Sequence, residues 1–154
     1  MLIANIANSI EVDNEMEENL VDLIIELKKS CMEDEKQIRN LCNVSLAEYK
    51  GIMEIETAER MTCNLLSDKM GLSVSRGSRI IDGLVRKGYL LRTTNPEDRR
   101  SFVLSLSSKG AKIRKQIEQE RNNCEYRIRK NLSAREVKLI KEGLKLIAKA
   151  LNQK

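Results

Sequence analysis

The chain has 154 residues and a formal net charge of +5, with 41% hydrophobic and 33% charged residues, which predicts one folded, soluble domain. It contains no histidine, so histidine-based acid–base catalysis and imidazole metal ligation are excluded, and we expect a protein that is not an enzyme. No apolar run approaches the length of a membrane span, and the N-terminus lacks the basic segment of a signal peptide, so we expect a cytoplasmic protein without a membrane partner.

Charge is distributed unevenly along the chain. Residues 1–40 carry ten acidic and four basic side chains, a net −6, whereas residues 57–110 carry ten basic and five acidic ones, a net +5. Residues 111–154 carry thirteen basic and five acidic side chains, a net +8. An acidic front and a basic back predict a polyanionic partner for the back half.

The first predicted element is a long helix from near Asp13 to the mid-thirties. Its apolar residues recur at helical spacing: Met16, Leu20, Leu23, Ile24, Leu27 and Cys31. Next, the run from Ser45 to Glu48 has the pattern of a capping box and predicts the start of a second helix. Gly51 inside that helix costs about 1 kcal/mol relative to alanine, which a close helix crossing would explain.

A helix-turn-helix is predicted after this segment. Thr62 is placed to cap a third helix, Gly71 suits its left-handed end, Ser73 is placed to cap a fourth helix, and Gly88 ends that helix. Leu65, Leu66 and Met70 of the third helix are expected to face the core, and the fourth helix carries the apolar residues Val74, Ile80, Ile81, Leu84 and Val85.

A hairpin follows, with strands predicted over Tyr89–Thr93 and Ser101–Leu106 around a loop that holds the only proline, Pro96. Inward-facing residues are expected at Phe102, Leu104 and Leu106, because side chains alternate along a strand. A hairpin after a helix-turn-helix is typical of a winged helix.

Two helices are predicted at the C-terminal end. The first starts near Ser107 and has Ile113, Ile117, Cys124 and Ile128 on one side, and a second capping box runs from Ser133 to Glu136. The last helix carries an apolar seam at spacings of three and four: Val137, Ile140, Leu144, Ile147 and Leu151. Pairing with a second copy of the chain would bury this seam.

The second helix of a helix-turn-helix enters the major groove of DNA, and its first turns contact the bases. In this chain, those positions and the cap before them are Ser73, Ser75, Arg76, Ser78 and Arg79. We expect Gly77 to let this helix approach DNA closely. The alternative is an ordinary polar helix face that carries two arginines.

The predicted wing tip holds Asp98, Arg99 and Arg100. An arginine there can enter the minor groove, where narrow A·T-rich stretches concentrate negative potential. We expect Asp98 to pair with Arg100 and hold its guanidinium. The alternative is a solvated turn of mixed charge.

The stretch LSDKMGLSVSRGSRIIDGLVRKGYLLRTTNPEDRRSFVLSLSSKG resembles the winged helix of the multiple antibiotic resistance regulator (MarR) family. The resemblance is sharpest at Ser78-Arg79, Lys87-Gly88 and Asp98-Arg99-Arg100. It covers about residues 44–110 and implies a triangular homodimer with intertwined N- and C-terminal helices. It also implies that two winged helices bind successive major grooves of a pseudo-palindromic operator in double-stranded DNA.

Many proteins of this family respond to a small-molecule effector or to thiol oxidation, near the joint between the dimerisation helices and the winged helix. By the resemblance, the candidate thiols at that joint are Cys31, Cys42 and Cys63. They match no Cys-x-x-Cys pattern, so a thiol switch, a thiol-bound metal or an iron–sulfur cluster is weighed against the commoner role of cysteine as a small hydrophobe. The other candidate is an effector cleft lined by Tyr49, Met53 and Arg60. We expect no cofactor and no metal.

We therefore predict a mainly α fold with a small β-hairpin wing. In one domain over 1–154, a winged helix-turn-helix spans 44–106, and dimerisation helices span 1–43 and 107–154. The predicted function is a sequence-specific DNA-binding transcriptional regulator, a homodimeric repressor released by a small-molecule or thiol-directed signal. The alternative is a winged-helix protein-interaction module without specific DNA readout. That alternative does not require arginines at the four DNA-facing positions: Arg76, Arg79, Arg99 and Arg100.

Overall fold

The computed structural model describes residues 19–95 and 101–153, and the chain divides into two units, residues 1–33 and 34–154. The described residues form helices α1 (Leu20–Leu41), α2 (Leu46–Met53), α3 (Cys63–Lys69), α4 (Val74–Arg86), α5 (Ser108–Arg129) and α6 (Ala134–Asn152), with strands β1 (Met61–Thr62), β2 (Leu90–Thr94) and β3 (Phe102–Leu106). The predicted mainly helical class with a hairpin is confirmed. In the described part of the chain, no helix combines the length and apolar character that a membrane span needs.

Within the first unit, the described residues form the N-terminal part of α1. The Asn19 side chain accepts a hydrogen bond from the Val21 amide at 2.9 Å and caps this end. Leu20, Leu23 and Leu27, which were predicted to share one apolar face, are exposed. The predicted helix start near Asp13 and the apolar Met16 lie outside the described residues.

Helix α1 ends later than predicted, at Leu41 instead of in the mid-thirties. Neither glycine nor proline interrupts its last turns, and Arg39 forms an i,i+4 ion pair with Glu35 at 3.3 Å. The chain leaves the helical path at Asn43, whose φ of 53° lies in the left-handed region.

The predicted caps of the second unit are largely confirmed. Both capping boxes form, at Ser45 before α2 and at Ser133 before α6. The Thr62 side chain accepts a hydrogen bond from the Leu65 amide at 3.2 Å, and Gly71 has a φ of 67°. Ser73 precedes α4 as predicted, but its side chain forms no capping hydrogen bond, so that part of the prediction is wrong.

The three strands form one antiparallel sheet in the order β1-β3-β2. Strand β1 was not predicted, because its two residues pair with β3 far along the chain, Met61 opposite Leu104. The core combines side chains from α2 to α5, from the segment after α2 and from strands β2 and β3. Among the described residues, the largest fully buried side chains are Ile52, Ile55, Leu66, Ile81, Leu84, Leu90, Leu104, Ile117 and Ser67. This single core packs helices α2, α3, α4 and α5 against the sheet.

Two predicted inward positions are wrong. Phe102 shares a strand face with Leu104, yet its side chain is 48% exposed, because it pairs with Thr94 at the distal end of the hairpin. Leu65 is also exposed, whereas its neighbour Leu66 is fully buried in the core.

Candidate nucleic-acid interface

Helices α3 and α4 pack closely together through Gly77, which is buried. A Cβ atom at Gly77 would lie 2.0 Å from the Oγ atom of Ser67. Ser67 is itself buried, and its hydroxyl donates to the Cys63 carbonyl at 2.8 Å. The expectation that Gly77 lets α4 approach DNA is therefore wrong, because this glycine faces α3 and permits the packing of the helix-turn-helix.

The opposite face of α4 is open to solvent. Ser73, Ser75, Arg76 and Arg79 are exposed, and Ser78 is half-buried. Across residues 19–95 and 101–153, no ion pair involves Arg76 or Arg79. The predicted reading residues thus share a positively charged surface at the start of α4.

The acidic residue of α4, Asp82, is held by the wing. Arg92 of β2 donates to the Asp82 carboxylate at 2.5 Å, and its guanidinium lies 5.8 Å from the centre of the Phe102 ring. Sequence reasoning missed this contact, because ten residues and an element boundary separate its partners. The ion pair holds strand β2 of the wing against α4. Because Arg92 occupies the Asp82 carboxylate, no carboxylate of α4 itself competes with DNA for the arginines at the start of that helix.

Asn95 and Ser101 close the loop at the tip of the wing. The Asn95 amide donates to the Ser101 carbonyl at 2.9 Å, and their side chains bond at 3.1 Å. The predicted tip residues Asp98, Arg99 and Arg100 lie outside the described residues, so the proposed ion pair between Asp98 and Arg100 stays a prediction.

The far end of α4 is bound to α2 by an ion pair between Lys87 and Glu48. Burial opposes ionisation of Glu48, but hydrogen bonds from Lys87 and Ser45 outweigh it and hold the pKa of Glu48 below its usual value. The same hydrogen bond raises the pKa of Lys87. The pair therefore stabilises the contact between α2 and the C-terminal end of α4.

Residues 44–102 of the chain match the model of the MarR family. This match confirms the predicted resemblance to the MarR family over the winged helix. The helix-turn-helix-type transcriptional regulator YfiV of Bacillus subtilis is 28% identical over 109 residues, which cover 71% of this chain and 68% of YfiV. The multiple antibiotic resistance protein MarR of Escherichia coli is 29% identical over 106 residues, which cover 68% of this chain and 74% of MarR. These relatives are transcriptional regulators rather than enzymes.

Solved structures show the same architecture. The multiple antibiotic resistance repressor MarR has a TM-score of 0.69 at 26% identity, covering 83% of this chain and 94% of the other. FabT of Streptococcus pneumoniae, solved in complex with DNA, has a TM-score of 0.73 at 23% identity, covering 85% of this chain and 96% of the other. At that identity, FabT shows the MarR fold alone.

The candidate effector residues occupy different environments in this chain. Cys42 is buried in the core, and Tyr49, Met53 and Cys63 are half-buried against that core. Arg60 is exposed. Burial, with a smaller effect from Glu120, raises the pKa of the Cys42 thiol and disfavours its reactive thiolate form.

The remaining two cysteines also have unlike surroundings. Cys31 lies on α1 in the first unit and is exposed. Cys124, which was predicted to pack, is half-buried and donates to the Asp34 carboxylate at 3.3 Å; burial above all raises its pKa. Across the described ranges, no three cysteine or carboxylate side chains are grouped to hold a metal ion.

Proposed function

We propose that this chain is a homodimeric repressor that binds a pseudo-palindromic operator in double-stranded DNA and is released by a small-molecule or thiol-directed signal. The observation that carries the proposal is the exposed surface at the start of α4, whose arginines form no ion pair with the residues that the structure describes. Arg76 and Arg79 are exposed there beside Ser75, on the helix that a helix-turn-helix inserts into the major groove.

The chemistry of this surface suits base readout. A guanidinium can donate two hydrogen bonds to O6 and N7 of guanine, and the serine hydroxyls can bond bases or phosphates. The Ser73 hydroxyl is not used as a helix cap and lies exposed at the same end. Arg99 and Arg100 at the wing tip would add minor-groove contacts.

The proposed dimer is supported by α6. None of its described residues is buried, although its sequence repeats apolar side chains at helical spacing. Ile140 is 44%, Leu144 46% and Leu151 64% exposed. A second copy would bury this seam, and the resemblance adds α1 and α5 to the same interface.

The proposed signal acts near the joint between the dimerisation helices and the winged helix, and DNA binding itself requires no cofactor. The burial of Cys42 favours a packing role for that residue, which makes a small-molecule effector near Tyr49, Met53 and Arg60 the stronger candidate. Replacing the three candidate thiols with serine discriminates between the two kinds of signal. The thiols to replace are those of Cys31, Cys42 and Cys63. A thiol switch requires that this variant bind DNA but no longer respond to mild oxidant or a thiophilic metal.

The decisive experiment is selection of operators from random duplex DNA, followed by affinity measurements over a range of salt concentrations. We expect one enriched palindromic sequence and an affinity that falls steeply with salt, because phosphate contacts release counterions. Arg76→Ala should cost about 1–3 kcal/mol and relax preference at one base pair. Arg99→Ala should weaken binding with less change in preference.

The matched control is Arg135→Ala, which removes an exposed arginine of α6 outside the winged helix and should leave base preference unchanged. If the selection enriches no sequence, the interaction-module alternative replaces this proposal. That alternative is disfavoured by the exposed Arg76 and Arg79 of α4, which a protein-binding winged helix does not need.

A further inference from the structure

Arg114 of α5 makes a set of contacts that the sequence did not reveal. Its guanidinium Nη1 donates to the backbone carbonyls of Ile52 at 3.2 Å, Met53 at 2.7 Å and Ile55 at 2.8 Å. Its Nε lies 2.9 Å from the carboxylate of Glu118 one turn along α5, and the side chain is only 13% exposed. One arginine therefore bridges α5 and the end of α2.

The bridge satisfies groups that α2 cannot satisfy by itself. The last carbonyls of a helix have no intrahelical partner, and α2 ends at Met53. A cation at that end also complements the helix dipole. The guanidinium presents several donors in one rigid plane, whereas a lysine would supply a single flexible ammonium.

Packing alone does not hold α5 to the segment that follows α2. A groove of about 650 Å³ is lined by Arg114 and Glu118 of α5 and by residues 56–59 after α2. Arg114 lines this groove and also donates to the backbone carbonyls at the end of α2. Loss of the guanidinium would therefore remove the polar contacts between this end of α2 and α5 and leave only the shared apolar core to hold them.

Helix α2 in turn is closely packed on α4, the helix proposed to enter the major groove and called the reading helix below. A Cβ atom at Gly51 would lie 2.5 Å from the Cδ1 atom of Leu84 in α4. This confirms the close helix crossing predicted at Gly51, and it leaves no space for α2 to move independently of α4. Any rotation of α2 relative to α5 therefore carries α4 with it.

We propose that Arg114 is a positioning residue that sets the orientation of α4 relative to α5, and thereby the separation of the two reading helices in the dimer. This inference rests on the proposed function. Two half-sites are read together when the reading helices are about 34 Å apart. Each added base pair shifts a half-site by about 3.4 Å and rotates it by roughly a tenth of a turn. If the Arg114 contact holds α4 rigidly relative to α5, the dimer can bind both half-sites at only one spacing.

The test compares wild type, Arg114→Met, Arg114→Lys and the control Arg121→Met, which removes an exposed arginine two turns along the same helix. Fluorescence anisotropy would measure the affinity of each for the operator selected by wild type, for operators with one or two base pairs inserted between half-sites, and for a single half-site. Sedimentation at the same concentration would show whether each variant has the wild-type oligomeric state.

For wild type and Arg121→Met, we expect the two-base-pair insertion to lower affinity about tenfold or more, because one half-site loses its base contacts. Both Arg114 variants should bind the native spacing more weakly, by about 2- to 30-fold, and should lose little further affinity on insertion. Their affinity for a single half-site should stay close to wild type, because the contacts of α4 are intact.

A spacing profile of both Arg114 variants that matches wild type overturns the inference while leaving the proposed function in place. Equal weakening on the single half-site and on the full operator also overturns it, because Arg114 would then only support the fold. If Arg114→Met fails to fold by circular dichroism, Arg114→Lys decides, since it keeps the charge and the aliphatic stem. If wild type selects no operator, the proposed function fails, and this inference fails with it.

Discussion

Replacing Gly77 with alanine tests the central packing contact of the helix-turn-helix. The new Cβ would lie 2.0 Å from the Oγ and 2.5 Å from the Cβ of Ser67, and the bonded, buried Ser67 side chain has no space to retreat. Overpacking of this severity costs about 3 kcal/mol, and alanine regains about 1 kcal/mol of helix propensity. We therefore expect Gly77→Ala to destabilise the protein by about 2 kcal/mol, or roughly 4–8 °C in melting temperature.

The matched control is Gly83→Ala in the same helix, where the nearest atom to the added Cβ is the Arg86 Nη2 at 4.0 Å. This change should stabilise the protein by up to about 1 kcal/mol, because it removes the flexibility of glycine without a clash. The measurement is urea unfolding followed by circular dichroism at one fixed protomer concentration, since a dimer's stability depends on concentration. Adding Ser67→Gly to Gly77→Ala should recover much of the loss.

The reasoning is refuted if Gly77→Ala is at least as stable as Gly83→Ala, or if Ser67→Gly gives no recovery. We also expect Gly77→Ala to weaken operator binding, because α4 must move away from α3. Gly83→Ala should bind with wild-type affinity. Weaker operator binding by Gly77→Ala without any loss of stability would mean that Gly77 faces DNA, as the sequence suggested.

Three further predictions concern other parts of the chain. Ile140→Asp with Leu144→Asp should give monomers or unfolded chain in sedimentation experiments; a wild type that sediments as a folded monomer contradicts the dimer. Glu48→Gln should destabilise the protein near neutral pH, and its deficit relative to wild type should shrink as pH falls below about 4, because the lowered pKa of Glu48 makes its contribution disappear on protonation; a pH-independent deficit would show that the charge contributes nothing. Cys42→Ser should cost about 1–3 kcal/mol in urea unfolding because it buries a hydroxyl, whereas Cys31→Ser at an exposed site should cost little, and equal costs would contradict the burial argument.

The sequence by itself determined the features that depend on neighbouring residues. Both capping boxes, the Thr62 cap and the left-handed Gly71 were predicted, because each depends on bonds or dihedral angles within a few residues. The order of helices and hairpin followed from these boundaries and from apolar spacing. The same reasoning identified Arg76 as an exposed residue at the start of α4.

Only the tertiary structure decided which residues meet across the fold. Gly77 looked like a position for DNA approach, but its partner is Ser67, ten residues away across the turn. Strand β1 and the bridge from Arg114 to the end of α2 join residues that are tens of positions apart, and no local pattern marks either end. A side chain's solvent exposure and its hydrogen-bond partners depend on the elements packed against it, and that packing is established only when the whole core assembles.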